Sequence, residues 1–176
     1  MTRGGAAVGS FVFTVGMPGV MGFLVPYWLT GWDGTDPPLA LQVAGAGLLA
    51  AGSAVLALTV IRFVVEGLGT PFPGAPTERL VVGGLYRYVR NPMYLAVIAI
   101  VLGQAGILGR GVLVGYAAIL WAVVASFVRF YEEPTLSERY GEQYDAYRRG
   151  VRGWWPRATP WSGDPGSSDA SAASIL

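Results

Sequence analysis

The chain has 176 residues, 53% of them hydrophobic and only 13% charged, with a mean hydropathy of +0.48 and a formal net charge of +1. Soluble domains carry roughly 25% charged residues, so the composition argues against a water-soluble globule, and the small net charge gives no reason to expect a nucleic-acid partner. The absence of His, Cys and Lys removes the usual zinc centres, Ser-His-Asp and Cys-His nucleophiles, disulfides, Schiff bases and Lys-dependent phosphate loops.

Four stretches are free of charge: Gly4 to Trp32 (29 residues), Pro37 to Ile61 (25), Asn91 to Gly109 (19) and Gly111 to Val128 (18). Each reaches or nearly reaches the roughly 18 to 20 apolar residues that a membrane-spanning helix needs. The expected fold is therefore all-α, a polytopic membrane protein with about four transmembrane helices, and no separate soluble domain fits beside them.

In chain order, the first span is expected over Val8 to Leu29, retained because no small-residue cleavage site follows a short hydrophobic core. Tyr27 and Trp28 close it as interfacial rings, and Asp33, Gly34, Asp36, Pro37 and Pro38 form a polar turn. The second span, Leu39 to Ile61, is rich in Ala and Gly, which lets helix backbones approach closely in lipid. Residues 62–91 interleave Arg62, Glu66, Glu78, Arg79, Arg87 and Arg90 with glycines and prolines. Connections of this length, beyond roughly 12 to 15 residues, are usually functional or disordered. The third span runs from Pro92 to Leu108, and Gly109, Arg110 and Gly111 turn it tightly into the fourth.

With four spans, eleven Arg fall on one side and only Arg110 on the other. The positive-inside rule then places both termini and the 62–91 connection in the cytoplasm; the membrane is expected to be a bacterial plasma membrane. Beyond Glu133, Leu136, Tyr140, Tyr144 and Tyr147 recur at helical intervals within Thr135 to Arg149. This predicts an amphipathic helix that lies on the membrane surface or covers a cytoplasmic site. Residues 1–66 are thus read as two N-terminal spans, 67–157 as a loop, helical hairpin and amphipathic helix, and 158–176 as a disordered tail.

Ionisable residues at the ends of spans are functional candidates, because burying them costs several kcal/mol. Two clusters qualify: the run from Gly83 to Tyr94 entering the third span, and Arg129, Glu132 and Glu133 leaving the fourth. Three and four residues separate Arg129 from the two Glu, a spacing that lets them pair on one helix face. An interfacial charge network with Tyr anchors accounts for the same residues.

The ordered set Leu80-Val81, Gly84-Leu85-Tyr86, Arg90-Asn91-Pro92-Met93-Tyr94, Glu132-Glu133 and Tyr140-Gly141-Glu142-Gln143-Tyr144-Asp145-Ala146-Tyr147 resembles the membrane methyltransferases of the isoprenylcysteine carboxyl methyltransferase and phospholipid methyltransferase group. The resemblance covers about residues 77 to 157. It implies S-adenosylmethionine bound on the cytoplasmic side and a lipid or isoprenoid-like acceptor entering from the bilayer. It assigns Leu80, Val81, Tyr86, Asn91, Pro92, Met93, Tyr94 and Glu132 to the cofactor, and Arg129 and Glu133 to catalysis. Many members of the group have His where this chain has Asn91; Asn hydrogen-bonds but cannot titrate.

Methyl transfer from a sulfonium is an in-line displacement driven by alignment of the reactants, so it needs none of the residue types this chain lacks. The alternatives are an NADPH-dependent membrane reductase, since sterol reductases have a similar C-terminal region, and a non-enzymatic membrane protein.

Overall fold

The computed structural model describes residues 16–66, 80 and 82–163, with the side chains of 62–66 left out. Every regular element among them is helical: α1 (Val25–Thr30), α2 (Leu39–Glu66), α3 (Pro92–Leu108), α4 (Gly111–Phe127), α5 (Glu133–Tyr140) and α6 (Glu142–Gly150). A π-turn at Val20–Leu24 precedes α1, another at Val128–Glu132 joins α4 to α5, and a 3₁₀ turn covers Gly84–Arg87. The fold is all-α, as the hydrophobic pattern requires.

Two helices are long and apolar enough to cross a membrane, Leu39–Ile61 and Gly111–Tyr140. Leu39, Val43, Leu58, Ile61, Ile119, Val123 and Phe130 are exposed on them, so their outer faces suit lipid rather than water. The third expected span coincides with α3 residue for residue, but its 17 residues rise only about 26 Å, short of a hydrocarbon core of about 30 Å. Of the first expected span, residues before 16 lie outside the described residues; the remainder is helical to Thr30 and widened by the π-turn.

The chain divides into two compact units that interleave along the sequence: one comprises residues 1–79 and 92–124, the other 80–91 and 125–176. In the first unit, α2 and α3 pack backbone to backbone. A Cβ added at Gly103 would lie 2.6 Å from the Leu49 nitrogen, and one at Gly45 would lie 2.6 Å from the Gly103 carbonyl. Small residues here permit the close approach by which helices associate in lipid. Val97, Val101 and Ala105 of α3 meet Leu113, Ala117 and Leu120 of α4 to form the core.

The π-turn is held from outside its own helix. Buried Gln104 donates to the Gly22 carbonyl at 2.6 Å and accepts from the Trp32 indole at 3.3 Å, while the Tyr116 hydroxyl donates to the Met21 carbonyl at 3.0 Å. A polar side chain within an apolar helix is costly unless partnered, and the carbonyls of the widened turn provide the partners. At the ends, Gly31 and Gly109 take positive φ of 60° and 65°, and Arg110 Nε donates to the Asp33 carbonyl at 2.8 Å.

Candidate functional site

The second unit is built on three segments. In the first, Gly84 sits at φ 57°, a left-handed conformation that glycine adopts at no steric cost, and this turns the chain into the Gly84–Arg87 3₁₀ element. Tyr88 caps that turn, and Asn91 precedes Pro92, a position biased toward extended backbone, so a short arm of Tyr88 to Asn91 leads from the turn to α3.

The second segment is a strap after α6. Arg90 N–H donates to the Arg152 carbonyl at 3.0 Å, Arg157 N–H to Tyr88 at 2.9 Å and Trp161 N–H to Arg87 at 2.9 Å. Arg87 Nε donates to the Trp161 carbonyl at 2.7 Å and Asn91 Nδ2 to the Gly153 carbonyl at 3.1 Å. Residues 158–163, read from the sequence as the start of a tail, carry this Trp161 anchor.

The third segment departs from the single helix expected over Thr135 to Arg149. The chain breaks at Gly141, whose φ of 51° and ψ of −129° no helix tolerates, and makes α5 and α6 instead. The expected aromatic face exists, and it is packed inside the protein, as a helix that covers a site would have it. Tyr144, Tyr147 and Val151 form a buried cluster flanked by Leu80, Val82, Leu136, Tyr140 and Trp161. The Tyr147 hydroxyl donates to the Tyr86 carbonyl at 2.7 Å. Burial pushes both the Tyr144 and Tyr147 hydroxyls above the ordinary tyrosine range; for Tyr144 the nearby Arg90 opposes and the Glu133 and Glu132 charges reinforce that effect.

At the centre lies Glu133, its side chain 9% exposed. Its Oε1 accepts from Arg90 Nη1 at 2.7 Å, and its Oε2 faces Arg148 Nη2 at 3.3 Å and Arg129 Nη1 at 3.6 Å. Arg90 Nη1 also donates to the Tyr144 hydroxyl at 3.1 Å. Arg90 Nε is buried and has no hydrogen-bond acceptor among the described residues. Three guanidinium groups on one carboxylate leave the cluster net positive, with one N–H still to be satisfied.

Among the residues expected at a site, Arg129 and Glu133 meet here, and Leu80, Tyr86, Asn91 and Glu132 belong to the same unit. Asn91 is buried and Glu132 half-buried at the end of the π-turn. Arg129 is 64% exposed. Pro92, Met93 and Tyr94 open α3 in the other unit, and Val81 lies outside the described residues.

Sequence reasoning quoted Arg90 in the motif without assigning it a role, and it missed Arg148 and the strap at Gly153. The available signal was that Arg90 directly precedes the Asn-Pro step, where a charge-free stretch begins. Within the motif segment it is the cation best placed to be buried, and a buried cation needs a carboxylate.

The chain matches the family model described as Phospholipid methyltransferase over residues 41–143. No curated protein and no solved structure matches it. The matched stretch takes in the Gly84–Arg87 turn, the arm with Arg90 and Asn91, and Arg129, Glu132 and Glu133, and it stops one residue before Tyr144. With more than half of its length matched and apolar helices long enough to cross a bilayer, this chain belongs to the phospholipid methyltransferase family, membrane enzymes that transfer methyl groups to lipid.

Proposed function

We propose that the protein uses S-adenosylmethionine to methylate a lipid or isoprenoid-like acceptor at the cytoplasmic face of the membrane. The supporting observation is the buried Arg90–Glu133 pair in the family-matched stretch, with Arg90 Nε lacking an acceptor among the described residues. An oxygen supplied by the cofactor's amino acid end would satisfy that N–H. The donor set otherwise suits a zwitterion: carboxylates for the ammonium, guanidinium and backbone N–H groups around Gly83 and Gly84 for the carboxylate.

Bound S-adenosylmethionine would supply a methyl group already activated on a sulfonium. The residues proposed to hold it are Leu80, Val81, Tyr86, Asn91, Pro92, Met93, Tyr94 and Glu132, with tyrosine rings suited to a neighbouring cation. Arg129 and Glu133 are proposed on the acceptor side. Glu133 fixes the guanidinium groups around it, and Arg129, largely exposed, presents positive charge to an anionic acceptor. A carboxylate acceptor arrives ionised and needs no base. An amine acceptor has to lose a proton, which one of the two carboxylates, Glu132 or Glu133, would take.

On this reading residues 1–66 anchor the chain, 67–157 carry the chemistry, and both termini are cytoplasmic, as the arginine asymmetry requires. The test is to incubate membranes containing the protein with radiolabelled S-adenosylmethionine and to fractionate lipid and protein. Label in the lipid extract, lost with Glu132→Gln, is expected. Calorimetry on purified protein that registers NADPH and not S-adenosylmethionine would replace the reading with a reductase.

A further inference from the structure

From Arg148 to Arg157 the chain reads Arg-Arg-Gly-Val-Arg-Gly-Trp-Trp-Pro-Arg, with four arginines, two tryptophans and no acidic residue; none occurs anywhere between Ala146 and Gly163. The acidic residues of α6, Glu142 and Asp145, lie in its first turn, and its last turn carries Arg148 and Arg149. The arginines are not equivalent. The Arg157 guanidinium turns back to the Gly150 carbonyl, and Arg148 faces Glu133. Arg149 and Arg152 are exposed.

The tryptophans differ in the same way. Trp161 packs at a tilt against Tyr147, ring centroids 5.5 Å apart, and sits tight against Gly150, where an added Cβ would clash with its ring. Trp155 is 73% exposed, with Pro156 exposed beside it. A large amphipathic ring left open beside free arginines matches the chemistry of a membrane interface, where Trp settles among headgroups and arginine is drawn to acidic lipid.

Position supports the same conclusion. Arg152 and Gly153 accept hydrogen bonds from the Arg90 N–H and the Asn91 side chain, and the next residue, Pro92, starts an apolar helix. The strap is therefore tied to the chain one residue from where charge gives way to hydrocarbon-compatible sequence.

We infer that the segment Arg149 to Pro156 is a docking surface for an anionic phospholipid leaflet, with Trp155 among the headgroups and Arg149 and Arg152 pairing with lipid phosphate and acidic headgroups. The inference does not depend on the identity of the cofactor or the methyl acceptor.

The test uses the full chain, which has no native Cys, with Ala158→Cys at an exposed position carrying an environment-sensitive fluorophore. The protein is reconstituted into vesicles of phosphatidylcholine alone or enriched in phosphatidylglycerol, with a headgroup-level nitroxide lipid as quencher. Strong quenching is expected only in the acidic vesicles. It should weaken at high salt, where the Debye length falls to roughly 3 Å at 1 M. Each Arg-to-Gln change should lower the segment's partitioning about fivefold, so Arg149→Gln with Arg152→Gln abolishes the effect. The paired Arg-to-Lys variant restores it, and Trp155→Ala reduces it. Equal quenching in the two vesicle types would overturn the electrostatic docking. Absence of quenching in both would mean that the segment faces water or a protein partner, and would overturn the proposal as a whole.

Discussion

The backbone contact between α2 and α3 predicts opposite outcomes for two glycine-to-alanine changes in apolar helices. At Gly103 a Cβ would come within 2.6 Å of the Leu49 nitrogen and 2.8 Å of the Gly45 carbonyl, all fixed backbone. Ordinary carbon contacts lie at about 3.5 to 4.0 Å, so α2 and α3 must separate by roughly 1 Å along this stretch. Overpacking of this kind costs about 1 to 3 kcal/mol, against a gain of about 0.5 to 1 kcal/mol from replacing a helical glycine. Gly103→Ala should therefore be destabilised by up to about 2 kcal/mol. Gly47, on the same helix pair, has nothing within 4 Å of an added Cβ, and Gly47→Ala should be neutral or stabilised. Thermal unfolding in mild detergent reads the sign directly. Gly45→Ala probes the same contact from the α2 side, so the double variant with Gly103→Ala should cost less than the two singles together, the first change having already opened the gap. Equal midpoints for Gly47→Ala and Gly103→Ala would refute the backbone packing.

Four further outcomes follow from the second unit and the topology. Glu133→Gln leaves buried Arg90 without its carboxylate and should lower stability by about 3 to 5 kcal/mol, whereas Arg129→Gln, at an exposed partner 3.6 Å away, should cost under about 1 kcal/mol; denaturation of both purified variants tests the contrast. Asn91→His should keep a donor toward the Gly153 carbonyl and retain stability and methyl transfer better than Asn91→Leu, which strands that carbonyl at roughly 1 to 3 kcal/mol; equal behaviour of the two would remove Asn91 from the site. Because burial raises the Tyr147 hydroxyl above its ordinary 10.0, the folded state resists deprotonation, so stability is full below that value and falls as pH rises beyond it; Tyr147→Phe should flatten this alkaline loss in a pH-dependent unfolding series. Single cysteines at Thr35, Ala75 and Ser168 report sidedness: an impermeant thiol reagent should label only Thr35 from outside, and labelling of Ala75 or Ser168 instead would reverse the orientation.

The apolar helices were legible because a bilayer imposes one rule along their whole length, and α3 begins and ends where its charge-free run and flanking Pro92 and Gly109 place it. The pairing of Arg129 with Glu133 was legible for the same reason, since helical spacing alone brings them to one face. The break at Gly141 was not, because an unbroken three-and-four periodicity of Leu136, Tyr140, Tyr144 and Tyr147 hides a single residue whose backbone leaves the helical region. The aromatic face carries no mark of whether lipid or protein covers it, and here the covering is Leu80, Val82 and Trp161. Nor could spacing reveal that Asn91 reaches Gly153, 62 residues further on, because a non-local hydrogen bond leaves no periodic trace.

Arg87 and Trp161 are 74 residues apart, and that separation sets an order of events during synthesis. At roughly 5 to 20 residues per second, the motif arm leaves the ribosome some 4 to 15 s before its strap exists. The α3–α4 hairpin is complete by then, with Gly109 turning one helix into the other. The arm that carries Arg90 therefore has to wait, its donors hydrated, until the final stretch of chain arrives to dock on it. Insertion of the apolar helices and assembly of the second unit are in this way separate steps, and a chain cut short before Arg152 would have its apolar helices made and no strap to hold the motif arm.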